Sequence, residues 1–201
     1  ILTGGESRRM GKDKSSLILG GKTLLERTIN LLSPFFGEII LSVSEENAYP
    51  EYDHKKVIDK YKGFGPLVGI YSSLLASDTN RNFIFTSDMP YLNGQLITFL
   101  LDYPSNKEII IPLAEGKIHP LCGIYSRSIL PSLESLIKNN LPGDFIAAGK
   151  IKSLSLKNFL DNQSVEYVDV EKGFKDYKSE LFLNINTMED YEKVRRDFEI
   201  N

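Results

Sequence analysis

Apolar residues follow two patterns along this chain: short continuous runs, and stripes spaced by three or four residues. The clearest stripe lies in "KTLLERTINLLSPFF" and comprises Leu24, Leu25, Thr28, Leu31, Leu32, Phe35 and Phe36. That spacing predicts a helix with one buried face. Thr23 and Glu26 form a T-x-x-E capping box, which predicts that the helix begins just after Thr23.

The remaining pattern alternates predicted strands with predicted helices. Strands are predicted at "EIILSVS", "HKKVID", "NFIFTSDMP", "EIIIP", "PLCGIYS", "SVEYVDV" and "LFLNIN", and helices at "GPLVGIYSSLLAS", "SILPSLESLIKNN" and "TMEDYEKVRRDF". Thr187 and Asp190 are spaced to cap the last helix. The alternation predicts a three-layer, Rossmann-like α/β fold with a mostly parallel sheet and helices on both faces.

The chain shows neither a linker nor an internal repeat, so a single domain over residues 1–201 is expected. Its first apolar run, "ILT", is shorter than the roughly 5–6 residues of a usual strand. We therefore expect strand residues before Ile1.

Composition narrows the class of protein. With 41% hydrophobic and 25% charged residues over 201 positions, the chain is typical of a globular domain. A net charge of −3 without a block of like charges disfavours a nucleic-acid or membrane partner. The single Cys122 excludes an internal disulfide and is predicted to be buried. No apolar run reaches the roughly 20 residues of a membrane span, and no signal peptide is visible, so we predict a cytoplasmic location.

Candidate chemistry begins in the opening stretch, "ILTGGESRRMGKDK". Gly4 and Gly5 at a predicted strand end would let backbone N–H groups approach phosphate oxygens, and a helix start after the loop would add a positive dipole end. Arg9 and Lys14 could neutralise a polyphosphate. The stretch is neither a Walker A loop nor a G-x-G-x-x-G fingerprint. The alternative is a glycine turn with solvated cations.

Two later stretches could complete a metal site. Asp88 ends a predicted buried strand just before Pro90, where a carboxylate could hold Mg²⁺ against phosphates; the alternative is a turn aspartate. Asn184 and Asn186 would share one side of the predicted "LFLNIN" strand and could assist the metal. A terminal strand with a capped turn explains them as well.

Asp59 also follows a predicted strand. Its carboxylate could accept a hydrogen bond from a base or from a ribose hydroxyl, or could simply be a turn aspartate. His119 precedes a proline and is open to a structural or a functional interpretation. Because ligands bind beyond the carboxyl ends of strands in such folds, these polar strand ends are expected to converge.

Five stretches together resemble the molybdenum cofactor guanylyltransferases. "LTGGESRRMGKDK" matches their L-x-G-G-x-S-x-R-M-G-x-D-K signature, and "GPLVGI", "SDMPYL", "HPLCGIYS" and "NINTMEDY" follow in the family's order. The likeness covers nearly the whole chain and implies a GT-A-type nucleotidyltransferase fold. Two departures stand out: Ser42 takes a position where a family member has Asn, and Met188 replaces the usual proline.

The resemblance implies transfer of GMP from GTP to molybdopterin or the molybdenum cofactor, with Mg²⁺ as cofactor and pyrophosphate as the second product. It implies catalytic roles for Arg9, Lys14 and Asp88, metal binding by Asp88, and a metal or pterin role for Asn184 and Asn186. The implied GTP contacts are Leu2, Thr3, Gly4, Gly5, Lys14, Ser42, Asp59 and Asp88. Molybdoenzymes or other cofactor-biosynthesis proteins are further implied partners. The rival interpretations are a cytidylyl- or sugar-nucleotide transferase and a non-catalytic cofactor-handing adaptor.

Overall fold

The apolar pattern of the chain becomes strands and helices in a computed structural model that describes residues 1–3, 13–59, 61, 65–140 and 154–199. The α-helices are α1 Leu24–Leu32, α2 Pro66–Ala76, α3 Gly94–Leu101, α4 Leu130–Asn139, α5 Leu156–Leu160, α6 Val170–Gly173 and α7 Met188–Glu199. The strands are β1 Ile18–Leu19, β2 Lys22–Thr23, β3 Ile40–Val43, β4 Lys55–Ile58, β5 Arg81–Phe85, β6 Ile109–Ala114, β7 Lys117–Ile118, β8 Cys122–Ser126 and β9 Val165–Asp169. No helix in these ranges is long and apolar enough to cross a membrane.

A mixed sheet forms the middle of the fold. β3 pairs in parallel with β4, and Leu2 bridges in parallel to Ser42 of β3 and to Thr86 just after β5. β8 runs antiparallel between β5 and β6, whereas β9 joins β6 in parallel. The order across the sheet is therefore β4, β3, the bridging segment of residues 1–3 (called the Leu2 strand below), β5, β8, β6 and β9. Because β3, β4, β5 and the Leu2 strand all run the same way, their carboxyl ends meet at one edge.

Helices cover both faces of this sheet. Alternate residues of one strand point to opposite faces: Ile110 joins a cluster with α1 and α3, while Ile109 and Ile111 join a cluster with α2, α4 and α5. Cys122 is buried in the first cluster as a free thiol. The prediction of a three-layer α/β fold with a mostly parallel sheet is confirmed. Six strands of this sheet run in the same direction: β4, β3, the Leu2 strand, β5, β6 and β9. Among the described residues of the sheet, β7 and β8 run in the opposite direction.

The predicted helix caps are present. The Thr23 hydroxyl accepts a hydrogen bond from the Glu26 amide at 3.0 Å and starts α1. At α7, the Thr187 hydroxyl accepts from the Asp190 amide at 3.1 Å, while the Asp190 carboxylate accepts from the Thr187 amide at 2.8 Å. Thr187 caps this helix without the family's proline at the next position, as the sequence predicted.

Three local predictions are wrong. No strand forms at "LFLNIN": Ser179–Phe182 is a 3₁₀ turn, and the residues after it join no ladder within the described chain. No α-helix follows the opening loop directly, because Lys14–Ser16 forms a single 3₁₀ turn before β1. α1 ends at Leu32, so Phe35 and Phe36 lie beyond the helix, although both still pack against the core.

Candidate active site

The common edge of the parallel strands brings several predicted site residues together. Leu2 and Thr3, Ser42 near the end of β3, Asp59 just after β4, and Asp88 beyond β5 all lie along it. The expectation that polar strand ends converge is confirmed for these positions. Gly4, Gly5 and Arg9, which were predicted to bind phosphate, lie outside the described residues, so their placement stays a prediction.

Lys14, Asp88 and Asn186 form one polar cluster at this edge. The Lys14 ammonium lies 3.6 Å from Asp88 Oδ2 and donates a 3.2 Å hydrogen bond to Asn186 Oδ1. The three residues come from a 3₁₀ turn, a strand end and the segment before α7, so only the fold brings them together. We call Lys14, Asp88 and Asn186 the cation cluster.

Two hydrogen bonds from backbone amides hold Asp88 and Asn186 in place. The Ile185 amide donates to the Asp88 carbonyl at 2.9 Å, which ties the asparagine segment to the end of β5. The Asp190 carboxylate accepts from the Asn186 amide at 3.0 Å, so the cap of α7 also fixes Asn186. The helix cap predicted from the sequence therefore also positions a site residue.

Asp88 is electrostatically unusual. Burial raises the pKa of its carboxyl group, and the nearby Lys14 charge, the Thr86 side chain and the Asp88 backbone amide oppose that rise. Its Oδ1 atom is buried and has no hydrogen-bond donor among the described residues. A buried carboxylate oxygen without a donor costs free energy unless a cation or another donor binds it.

The donor set fits Mg²⁺. An aspartate oxygen without a partner and the Asn186 amide oxygen are hard oxygen ligands of the type that Mg²⁺ takes, usually one or two at a time. Within the described part of the chain, His, Cys, Asp and Glu side chains form no cluster of three that could enclose a metal. A magnesium ion here would therefore complete its octahedral shell with phosphate oxygens and water, as Mg²⁺ commonly does in nucleotide sites.

Asn184 does not share the position of Asn186. Its side-chain amide donates to the Phe182 carbonyl at 2.9 Å and so turns back on its own segment. The prediction that both asparagines lie on one side of a strand is wrong, because that strand does not form. Only Asn186 reaches Lys14.

Ser42 and Asp59 form a second polar pair farther along the same edge. The buried Ser42 hydroxyl donates to Asp59 Oδ1 at 2.7 Å, which lowers the pKa of Asp59, while burial raises it by more. Gly69 of α2 packs directly against the pair: a Cβ there would lie 3.1 Å from Ser42 Oγ and 3.7 Å from Asp59 Oδ1. The small residue in "GPLVGI" lets the helix approach the strand ends closely.

Leu2 and Thr3 are already committed to the sheet. The Leu2 amide donates to Phe85, and both the amide and the hydroxyl of Thr3 donate to the Ser42 carbonyl. Their N–H groups are therefore not available to phosphate oxygens. Any contact of these two residues with a nucleotide would use the Leu2 side chain or oxygen atoms.

His119 packs against an aromatic ring. Its imidazole stacks on Phe182 with ring centroids 4.1 Å apart, and burial lowers its pKa. This contact supports the structural interpretation of His119.

Several residues at this edge were not predicted as site residues. Asp13 caps the 3₁₀ turn of Lys14 by accepting from the Ser15 amide, and it also accepts from the Tyr49 hydroxyl at 2.7 Å. Tyr49 has a positive φ of 52°, and its pKa is raised to about 12, mainly by burial. The D-K-S-S stretch carried a signal for the capped turn, whereas nothing local pointed to Tyr49.

A cavity of about 760 Å³ lies away from this edge, between α4 and α5. None of the described residues that line it is charged. Phosphate groups are recognised by cations or a metal, so the uncharged lining of this cavity does not match the predicted phosphate chemistry, whereas the edge with Lys14 and Asp88 does.

Comparison with known proteins identifies the family of this chain. Residues 1–152 match the MobA-like NTP transferase domain. The chain is 31% identical to "Probable molybdenum cofactor guanylyltransferase" of Carboxydothermus hydrogenoformans, covering 100% of this chain and 95% of that protein. It is 33% identical to the protein of the same name from Natranaerobius thermophilus, covering 98% and 93%.

A solved structure shows the same fold. Molybdopterin-guanine dinucleotide biosynthesis protein A from Archaeoglobus fulgidus superposes with a TM-score of 0.80 at 25% identity, covering 100% of this chain and 97% of that one. Family model, relatives and fold therefore agree with the resemblance seen in the sequence motifs. The chain belongs to the MobA-like NTP transferase family and, within it, to the molybdenum cofactor guanylyltransferases.

Proposed function

We propose that this protein transfers GMP from GTP to a molybdopterin-type cofactor and releases pyrophosphate. The observation that carries the proposal is the cation cluster: Lys14 3.6 Å from Asp88, with Asp88 Oδ1 lacking a donor among the described residues. An ammonium and a carboxylate that can hold Mg²⁺ are the groups that nucleotidyl transfer needs. Membership of the guanylyltransferase family directs the choice of nucleotide and acceptor.

The order of strands suggests how the substrates lie. Asp59 and Ser42 lie on the β4–β3 side of Asp88, whereas Asn186 lies with Asp88 itself. We place the guanosine against Ser42 and Asp59 and the triphosphate across the Leu2 strand towards Lys14 and Asp88. The acceptor would then approach from the side of Asn184 and Asn186. Gly4, Gly5 and Arg9 stay in the proposal as phosphate-binding residues.

The proposed reaction needs positioning and charge neutralisation more than proton transfer. The terminal phosphate of the acceptor attacks the α-phosphorus of GTP, roughly in line, and pyrophosphate leaves. A phosphate nucleophile is already ionised at neutral pH, so no general base is required. Lys14 would stabilise the charge on the triphosphate. Mg²⁺ bound through Asp88, with Asn186 as the second candidate ligand, would neutralise phosphate charge.

Asp59 is the proposed guanine reader. Among the described residues, the Ser42 hydroxyl is the side-chain donor to Asp59, through Oδ1, so within that part of the chain the carboxylate keeps acceptor capacity for two donors of a base. Guanine presents N1–H and N2–H₂ side by side, whereas adenine and cytosine do not. Ser42 stands where a family member has asparagine, and its hydroxyl donates to the Asp59 carboxylate that we propose reads the base.

Turnover assays with defined substrates test the proposal. The full chain is incubated with Mg²⁺, GTP and either molybdopterin or the molybdenum-loaded cofactor, and the dinucleotide product and pyrophosphate are measured. The same assay is repeated with CTP or ATP in place of GTP. Formation of the dinucleotide with GTP, but not with CTP or ATP, supports the proposal. Preference for CTP would indicate a cytidylyltransferase, and tight binding without product would indicate an adaptor.

A further inference from the structure

A buried pair of serine hydroxyls joins the segment of Lys14 to the segment of Asp88. Ser15 Oγ and Ser87 Oγ lie 2.9 Å apart, and the two residues are only 2% and 4% exposed. Ser15 directly follows Lys14, and Ser87 directly precedes Asp88. The hydrogen bond spans 72 residues of sequence, so it belongs to the tertiary fold rather than to a local turn.

Backbone hydrogen bonds do not fix this junction. Among those of the described residues, none connects residues 13–17 with residues 84–92. Asp13 caps the 3₁₀ turn of Lys14 within its own segment, and the Ile185 amide donates to the Asp88 carbonyl. Besides the ion pair made by the long Lys14 side chain, the Ser15–Ser87 hydrogen bond joins the segment of Lys14 directly to the segment of Asp88.

We propose that Ser15 and Ser87 are positioning residues that set the distance between Lys14 and Asp88. This inference rests on the proposed function. A lysine side chain is long and flexible, and 3.6 Å is a loose ion-pair distance. The position of the Lys14 ammonium therefore depends on where its backbone is anchored. Displacing reacting groups by about 1 Å can lower the rate about 10²-fold. A directional hydrogen bond between the neighbours of Lys14 and Asp88 can therefore affect turnover.

The alternative is that the serines only fill space in a buried contact. Ser77 provides a control for the loss of a serine hydroxyl elsewhere in the fold: it is 3% exposed, and its hydroxyl bonds to Asn82 Oδ1 and to the hydroxyl and amide of Thr79. Asn82 lies at the start of β5, so this pair occupies the end of the strand opposite to Asp88. Removing the Ser77 hydroxyl breaks its part-buried hydrogen bonds with Thr79 and Asn82 without touching the cation cluster.

The experiment compares Ser15→Ala, Ser87→Ala, the double variant and Ser77→Ala in the full chain. The kcat and the KM for GTP are measured at several Mg²⁺ concentrations. The affinity for Mn²⁺ in the presence of GTP, without acceptor, is measured by electron paramagnetic resonance.

We expect Ser15→Ala and Ser87→Ala each to lower kcat about tenfold, with a smaller change in the KM for GTP and weaker Mn²⁺ binding. The double variant should resemble the singles, because the same Ser15–Ser87 bond is lost in each case. Ser87→Ala is the cleaner single variant, since Ser15 also has a side-chain hydrogen bond with Tyr49. Ser77→Ala should match wild type.

Clear outcomes would overturn the inference. If Ser15→Ala and Ser87→Ala keep the kcat and Mn²⁺ affinity of Ser77→Ala, the serines only pack. If either alanine variant fails to fold, Ser87→Cys replaces it, because a thiol fills similar space but donates weakly; wild-type turnover and Mn²⁺ affinity in Ser87→Cys would also refute the inference. If wild type itself forms no product, the proposed function fails, and the Mn²⁺ measurements still decide the role of the serines.

Discussion

Two aspartates lie at the same edge of the sheet but in different surroundings. Burial raises the pKa of both Asp59 and Asp88. Asp59 receives a 2.7 Å hydrogen bond from the neutral Ser42 hydroxyl, and no ion pair to it is formed within the described residues. Asp88 lies 3.6 Å from the Lys14 ammonium and has one oxygen without a donor in the same part of the chain.

The difference shows that neighbours, rather than burial alone, decide what a carboxylate can bind. The Ser42 hydroxyl orients Asp59 without neutralising it, which leaves an acceptor suited to the neutral N–H groups of a base. Lys14 favours the charged form of Asp88, and its free oxygen suits a metal ion. The proposed function therefore places base recognition at Asp59 and charge neutralisation at Asp88, along one edge of the sheet.

Asp88→Asn should produce the largest effect, because it removes the charge while keeping the size of the side chain. We expect kcat to fall by at least about 10³-fold, since metal stabilisation of phosphate charge is worth several kcal/mol. The measurement is turnover across a range of Mg²⁺ concentrations, with a thermal melt to verify folding. A folded variant within a few-fold of wild type that still requires Mg²⁺ would remove Asp88 from the metal site.

Lys14→Ala should follow, with a loss of about 10²–10³ in kcat, the usual cost of removing one preorganised group that stabilises charge. Lys14→Met is the matched control, because it keeps an apolar stem without the ammonium, and it should lose as much activity. Turnover and GTP affinity are measured for both. Unchanged values in both assays would show that Lys14 does not serve the triphosphate.

Asp59→Asn should have a smaller and more selective effect. Loss of a charge-assisted hydrogen bond costs about 1.5–3 kcal/mol, so GTP affinity should fall at least about tenfold. ITP lacks the N2 amine, and wild type should therefore prefer GTP to ITP while the variant loses that preference. Binding of GTP, ITP and ATP to both proteins provides the measurement. If the ratio of GTP to ITP affinity stays the same, Asp59 binds ribose or only caps the strand end.

Local patterns predicted much of this edge. The Thr23 cap, the Thr187–Asp190 cap and the strands that end before Asp59 and Asp88 needed only neighbouring residues to be recognised. Convergence of the strand ends followed from the parallel arrangement of the sheet. These features depend on periodicity and capping, which a sequence displays directly.

The wrong predictions come from patterns that fit two structures. "LFLNIN" alternates apolar and polar residues like a strand, but Leu183 is 40% exposed and no neighbouring strand is available within the described chain. The hairpin of β1 and β2 was missed, although Gly20 and Gly21 have the positive φ values, 57° and 78°, that a tight two-residue turn requires.

Contacts between distant segments could not be predicted. Ser15 with Ser87 and Tyr49 with Asp13 join residues 72 and 36 positions apart. A serine or tyrosine hydroxyl has no partner preference strong enough to reveal such a pair from composition or spacing. The distance between Lys14 and Asp88 likewise depends on the complete fold.

The smallest predicted effect concerns stability and separates the two aspartates without any substrate. A carboxyl whose pKa is raised by folding binds protons more tightly in the folded state, so its ionised form costs stability above the folded pKa. That cost declines as the pH falls through the folded pKa and disappears below the unfolded value of about 3.8. Asparagine at either position should therefore raise Tm at neutral pH, and the gain should vanish in acid.

The Lys14 charge makes the Tm gains of Asp88→Asn and Asp59→Asn differ. It offsets part of the burial cost of Asp88 but none of the cost of Asp59. The Tm gain of Asp88→Asn should therefore be larger in a Lys14→Ala background than in wild type, whereas the gain of Asp59→Asn should be equal in both. Thermal melts of the six proteins, without nucleotide or metal, at pH 7 and again near pH 3.5, give the comparison. Equal gains of Asp88→Asn in the two backgrounds would mean that the 3.6 Å ion pair contributes nothing in solution, as holds for many exposed pairs.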